Sequence, residues 1–258
     1  MYVGISVNFK AGSVDGRYYL QLFNEYVSFW PDRIIYKTNG KGWKESHKWS
    51  ERKHLKVIEE CDVNGQLSIS QRRNVFITGR TGSGAPHTSI GIFIDESMLD
   101  PKTVDIYPFV NRHGFVSAYL YNEDYENVQS TKYSGNIKGL NIPSEILATL
   151  KNTPYRVEYE TGIKVYDVTY NPGRKELIGY TWIMPAWKMW FGKGFYHLVP
   201  KERILAFPGA VEIKELENDI VYVQLFEKIE ESHTKENMDK QWAWRDWLNF
   251  DELVKKYP

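Results

Sequence analysis

The stretch Tyr121-Asn122-Glu123-Asp124-Tyr125-Glu126-Asn127 sets three carboxylates between and beside two tyrosines. Carboxylates next to amphipathic aromatics suit protein recognition, because tyrosine anchors a contact while acidic groups complement a basic partner. Tyr121, Glu123, Asp124, Tyr125 and Glu126 are therefore candidate partner-binding residues, against the plainer reading of an exposed polar loop. Six of the nine tryptophans fall in the last third of the chain, and Trp187-Lys-Met-Trp190-Phe offers Trp187 and Trp190 as a second candidate surface, against a place in the core.

Gly79-Arg-Thr-Gly-Ser-Gly-Ala-Pro-His87 is the stretch closest to an anion site, with Arg80 and His87 as its candidate side chains. Where a phosphate-binding loop needs Lys then Ser or Thr, the chain has Ala85-Pro86, and a strand pattern follows in place of a helix. A loop between two strands is the simpler expectation. The six histidines show no pair at metal-binding helical spacing, and no metal or cofactor is expected. Cys61 sits between Glu60 and Asp62, a setting that disfavours the thiolate a nucleophile needs. No Gly-x-Ser-x-Gly elbow or kinase loop occurs, so catalysis has no residues of its own here.

Charge is unevenly placed. From Arg33 to Lys56 basic residues face only Glu45 and Glu51, with Trp43 and Trp49 interleaved, a composition that can grip and stack nucleic acid. The bland counterpart is a solvated face. Acidic residues dominate from Glu212 to Asp239 and are able to pair with that basic stretch.

The elements that must position these groups follow from periodicity. Val3, Ile5, Val7 and Phe9 alternate as in a half-buried strand, and the apolar residues from Val14 to Trp30 recur at helical spacing up to Pro31. Ile34 to Tyr36, Leu67 to Ser70, Val75 to Ile77, Ser89 to Ile94 and Gly114 to Glu123 read as strands. Ser50 suits the cap of a short helix carrying Leu55 and Ile58, and Asn141-Ile-Pro143 opens another through Leu150. Hairpins are predicted over Arg156 to Val168, turning at Thr161-Gly162, and over Val211 to Phe226, turning at Glu217-Asn-Asp219. The tail from Lys235 to Tyr257 reads as a terminal helix. Without regular strand-helix alternation, the fold class expected is α+β with a mainly antiparallel sheet, an N-terminal helix after strand one and a C-terminal helix. One domain over 1–258 is expected, with a soft boundary near 100–140.

The 258 residues carry 33 Lys+Arg and 33 Asp+Glu, so no global field draws the chain to nucleic acid or membrane. With 42% hydrophobic and 15% aromatic residues a packed core is assured. A single cysteine, no signal-like N-terminus and no apolar span suit a cytoplasmic chain without membrane contact.

Gly179-Tyr180-Thr-Trp182 leading to Pro185, then Phe191-Gly192-Lys-Gly194 ahead of a strand and a polar C-terminal helix, resembles bacterial polymorphic-toxin immunity proteins. Among these the chain is most similar to the group known as immunity protein fifty-two, with Tyr180 standing where its Gly-Trp-type motif has tryptophan. The likeness is greatest in the last third. It implies an α+β cytoplasmic protein without catalysis, which binds and neutralises a cognate toxin, often a nuclease. The alternatives are a nucleic-acid-binding or processing protein using 33–56 and 79–87, and a small hydrolase whose site meets only in the fold.

Overall fold

In the computed structural model, the opening strand β1 (Tyr2–Lys10) lies in the middle of a ten-stranded antiparallel sheet. The structure describes residues 1–14, 18, 33–37, 43–46, 50, 52–53, 56, 65–71, 75–81, 87–97, 100–138, 140–179 and 181–257; at 33–37, 43–46, 65–71, 75–81 and 87–88 it gives the strands and their register. On one side β1 pairs with β6 (His87–Asp95), followed by β5 (Val75–Thr81), β4 (Gly65–Gln71), β2 (Arg33–Lys37) and β3 (Trp43–Ser46). On the other it pairs with β7 (Phe115–Asn122), then β12 (Lys188–Phe191), β14 (Ile220–Gln224) and β13 (Glu212–Leu216). The fold is α+β with a mainly antiparallel sheet, and strands from both sides of 100–140 join it.

The alternation in β1 predicted one buried face. The structure covers both. Val3, Ile5, Val7 and Phe9 pack with Ile90, Ile92, Ile94, Ala118 and Leu120 and with Phe109 of α1 (Tyr107–Val110) in one apolar cluster. The intervening Ser6 and Asn8 are buried as well, on the face that receives Tyr119 and Phe191. On that side several polar groups bond one another, while Asn8 Oδ1 stays buried without a partner. Asn8 Nδ2 donates to Ser117 Oγ at 3.0 Å, and Ser117 Oγ lies 3.1 Å from Thr181 Oγ1. Thr181 belongs to a two-stranded ribbon, β10 (Glu176–Ile178) with β11 (Thr181–Ile183), laid against β1.

The tail also covers this face, but as two helices. α5 (Lys235–Leu248) starts at Thr234, whose hydroxyl accepts the Asn237 N–H, and α6 (Phe250–Lys256) follows one residue later. Between them Asn249 stands at φ 56°, ψ 44°, the left-handed conformation that closes a helix and that asparagine tolerates. The break lets Trp244 pack edge-on to Phe207, which follows α4 (Lys201–Leu205), with ring centres 4.9 Å apart, while Phe250 also enters the core. It also aims Asp251 at two buried guanidinium groups. Arg174 Nη2 and Arg245 Nη2 donate to Asp251 Oδ1 at 2.5 and 2.8 Å, and both arginines pair with Glu176. Two positive and two negative charges thus fix the helical corner to β10, where removing one partner would leave a costly buried charge.

Gly192 and Gly194 follow β12 where the chain crosses β7. A Cβ at Gly194 would fall 2.8 Å from a Val116 methyl and 3.1 Å from the Phe115 carbonyl oxygen, so close backbone packing explains this glycine. The predicted hairpin at Glu217-Asn-Asp219 is present as β13 and β14, with φ of 60° at Asn218 and Asp219. Residues 14–30, where the N-terminal helix was expected, lie outside the described residues apart from Val14 and Tyr18, both buried. Lys53 N–H reaches the Ser50 hydroxyl at 3.2 Å, as a capped turn requires, while Leu55 and Ile58 also lie outside them.

The corner at Asn249 is testable by substitution. Asn249→Gly is expected to be neutral, whereas Asn249→Val is expected to cost about 1–2 kcal/mol, because a β-branched residue opposes left-handed backbone. Thermal unfolding of both variants reads the difference, and equal melting temperatures would contradict it.

Candidate protein interface

The acidic stretch is a helix start and not a surface loop. Asn122 at the end of β7 caps α2 (Glu123–Ser130) by accepting the Tyr125 N–H at 3.1 Å. Glu123, Asp124 and Glu126 occupy the first turn, where carboxylates meet the positive end of the helix dipole. The expected surface placement is corrected accordingly: Tyr121, Asp124, Tyr125 and Glu126 are all buried. Tyr121 lies over Gly4, where a Cβ would come within 2.6 Å of the ring. Asp124 accepts the Tyr2 N–H at 3.1 Å, Glu126 accepts the Ser130 hydroxyl at 2.6 Å, and the Tyr125 hydroxyl donates to Gln241 of α5 at 2.8 Å. These residues tie α2 to the sheet and to the C-terminal helix.

Trp187 and Trp190 are likewise interior, with 2% and 6% exposure. The indole of Trp187 donates to the Glu227 carbonyl at 3.3 Å, and Trp190 packs against Tyr222 with centres 5.3 Å apart. Arg80 lies on β5 opposite Gln66 and Ser89, and His87 opens β6 opposite Lys10. The intervening 82–86 lie outside the described residues, but β5 and β6 are antiparallel neighbours, as a strand-to-strand loop requires.

Glu123 is the buried group whose chemistry is least balanced. Its Oε1 accepts from Asn127 Nδ2 at 3.0 Å, while its buried Oε2 and the Tyr121 hydroxyl make no hydrogen bond. Burial, reinforced by the charge of Glu126, pushes its carboxyl well above the ordinary range, and Lys175 opposes this only in part. Lys175 Nζ is held 3.4 Å from Ser6 Oγ and lies near the rings of Tyr121 and Trp182.

Beyond α2 the chain builds a small lobe over 131–171. It comprises α3 (Ser144–Ala148), a further turn at Thr149–Asn152 and a hairpin of β8 (Tyr155–Val157) with β9 (Lys164–Tyr166). Tyr125 and Val128 of α2 root it through Ile142, Ile146 and Leu150, a cluster of five buried apolar residues that is separate from the main core. So small a cluster cannot cover the lobe's apolar surface. Eight of the twelve exposed large apolar residues among those described lie between 133 and 170, including Leu140 (51%), Tyr155 (50%) and Val157 (68%), with Tyr159 fully exposed.

Three of these residues, Leu140, Leu147 and Tyr155, edge an open groove of about 610 Å³ between α3 and the hairpin. Leu140, Leu147 and the stacked pair Tyr155 and Tyr166, with centres 4.6 Å apart, form apolar walls, and Lys138 and Lys151 add ammonium groups. Such a groove suits an apolar anchor from another molecule, because concentrated exposed apolar area marks interaction sites. Sequence reading found the hairpin and its Thr161-Gly162 turn, and Gly162 has φ 67°. It missed the surface. The alternation Tyr155, Val157, Tyr159 signals a face in need of a cover, and only the fold reveals that none is supplied within the lobe.

Among the described residues no three His, Cys, Asp or Glu side chains converge as a metal site would, and no helix is long and apolar enough to cross a membrane.

Because Glu123 binds its proton more tightly folded than unfolded, its contribution favours the fold at low pH and is lost as pH rises through the raised folded value. Glu123→Gln is therefore expected to leave the melting temperature unchanged near pH 4 and to raise it by roughly 2–4 °C at pH 8. A difference that does not vary with pH would overturn this assignment. Compared with known proteins, the chain matches no family model, and neither a curated protein nor a solved structure is significantly similar to it.

Proposed function

We propose that this chain is a non-catalytic, cytoplasmic protein-binding protein of the immunity type, which binds and neutralises a cognate bacterial toxin through the lobe 131–171. The observation that carries the location is the concentration of exposed apolar side chains on one lobe joined to the sheet through α2, three of them lining its groove. The resemblance of Gly179-Tyr180-Thr-Trp182 and Phe191-Gly192-Lys-Gly194 to immunity proteins supports the class. An inhibitor needs a pre-organised surface more than it needs reactive groups, since a partner then meets little ordering cost. The main core and the two-arginine corner supply that rigidity, and the small second core lets the lobe project.

The test uses proteins encoded beside this chain's gene as candidate toxins. Co-expression is expected to restore growth of cells producing one of them, and calorimetry is expected to show a one-to-one complex. Leu147→Asp combined with Tyr155→Ala is expected to weaken that complex by about 2 kcal/mol or more while leaving the fold intact, because both side chains are exposed. No neutralisation by the wild-type chain of any neighbouring product would overturn the function. Neutralisation with unchanged affinity in the double variant would move the interface off the groove.

A further inference from the structure

We infer that the groove takes an extended, acidic, apolar-anchored segment of the partner protein, which adds a strand to β8. This rests on the lobe being the interface, and three independent observations give the segment its chemistry.

The first is an open strand edge. Glu158 N–H bonds the Ile163 carbonyl and Asp167 N–H bonds the Pro154 carbonyl, which makes Arg156 and Val165 the hydrogen-bonded pair between them. The N–H and C=O groups of Tyr155 and Val157 therefore turn outward. On the opposite edge the equivalent outward N–H, that of Tyr166, is taken by the Lys132 carbonyl at 2.8 Å. No hydrogen bond to the outward groups of Tyr155 and Val157 occurs among the described residues. A strand edge of this kind accepts an extended segment through its main chain.

The second is the apolar wall on that same strand. Tyr155 and Val157 share one face with Tyr166 and Lys164, and Tyr155 and Tyr166 line the groove. Alternate side chains of an added strand would enter there.

The third is the charge of the groove lining. Lys132, Lys138, Lys151, Arg156 and Lys164 are exposed and form no ion pair among the described residues, although Lys164 lies over the Tyr155 ring. Elsewhere Lys201, Lys214, Lys228, Lys235, Lys240 and Lys255 each hold a carboxylate. The lobe also carries Glu145, Glu158, Glu160 and Asp167, but none of them lines the groove; Glu158 accepts from the hydroxyls of Tyr133 and Thr161, and Asp167 from Thr169. Lys138 and Lys151 line the groove and no carboxylate does. Free ammonium groups beside an apolar slot complement carboxylates that flank an apolar anchor.

The experiment pans a random displayed 12-residue peptide library on the full chain, with the Leu147→Asp, Tyr155→Ala chain as counter-selection. Enriched peptides are expected to alternate apolar and acidic residues, and the best of them, made synthetically, is expected to slow amide exchange at Tyr155 and Val157. Lys138→Glu with Lys151→Glu is expected to weaken its binding at least about tenfold, and the milder Lys138→Gln with Lys151→Gln to weaken it less and flatten its salt dependence. Val157→Pro, which removes one outward N–H from an exposed edge, is expected to weaken it by a similar factor. Enrichment of basic or neutral peptides, or no protection at Tyr155 and Val157, overturns the inference. A toxin that binds these variants as tightly as wild type would also overturn it while leaving the proposed function standing. Peptide binding as described with no toxin neutralised would keep this inference and remove that function.

Discussion

Covering both faces of β1 takes its polar groups away from water, so Ser6 Oγ and Asn8 Nδ2 are bonded inside the protein while Asn8 Oδ1 is left buried without a partner. A buried polar group left unbonded costs about 1–3 kcal/mol, so the second face of the sheet could not be closed by apolar packing alone. The chain closes it with Thr181 over Ser117 and Asn8, with Lys175 over Ser6, and with Tyr121 lying on the small Gly4. Each of these covering groups belongs to a segment that must be held in place. The ribbon that carries Thr181 begins at Glu176, and Glu176 is gripped by Arg174 and Arg245. The C-terminal helices, the ribbon and the central strand are thereby linked through one set of charges built on two buried arginines.

The same demand accounts for α2. Its first turn carries Glu123, Asp124 and Glu126, yet it is pressed against the sheet because Asn122 caps it, Tyr2 bonds Asp124 and Gln241 bonds Tyr125. Of the three carboxylates in that turn, Glu123 retains a buried oxygen with no hydrogen bond, beside the likewise unbonded Tyr121 hydroxyl. On its far side α2 supports the lobe, so the molecule has a stiff body and a lobe with a minimal core of its own. That division places exposed apolar area where little folding stability depends on it.

Local patterns were legible in the sequence and covering relations were not. The strands at Val3 to Phe9, Ser89 to Ile94 and Gly114 to Glu123 follow from alternation or apolar runs, and the hairpin turns follow from Thr161-Gly162 and Glu217-Asn-Asp219, whose residues accept positive φ. The Tyr121 to Asn127 stretch misled because acidic residues at a helix N-terminus and acidic residues on a recognition loop look alike in sequence. Asn122 ahead of them was the cap signal that separates the two. The helix break escaped notice because Asn249 is neither Gly nor Pro, and the groove because the fate of an alternating hairpin depends on what lies above it. Trp187 and Trp190 misled in the same direction as the Tyr121 to Asn127 stretch, since Trp190 lies on β12 between β7 and β14 and Trp187 just ahead of it, where both are covered however polar their neighbours.

The place of β1 also sets an order in time. It pairs Tyr2 with Asp95 and Val3 with Asn122, so a strand synthesised before both of its neighbours sits between them. At about 5–20 residues per second, β1 waits for roughly 6–24 s before its second neighbour exists. Until β6 is made Val3, Ile5, Val7 and Phe9 have neither neighbour and until β7 is made they lack one, which leaves an apolar segment of the kind that chaperones shield. The rest of the sheet cannot close around its own centre until the ribosome has passed the β7 codons.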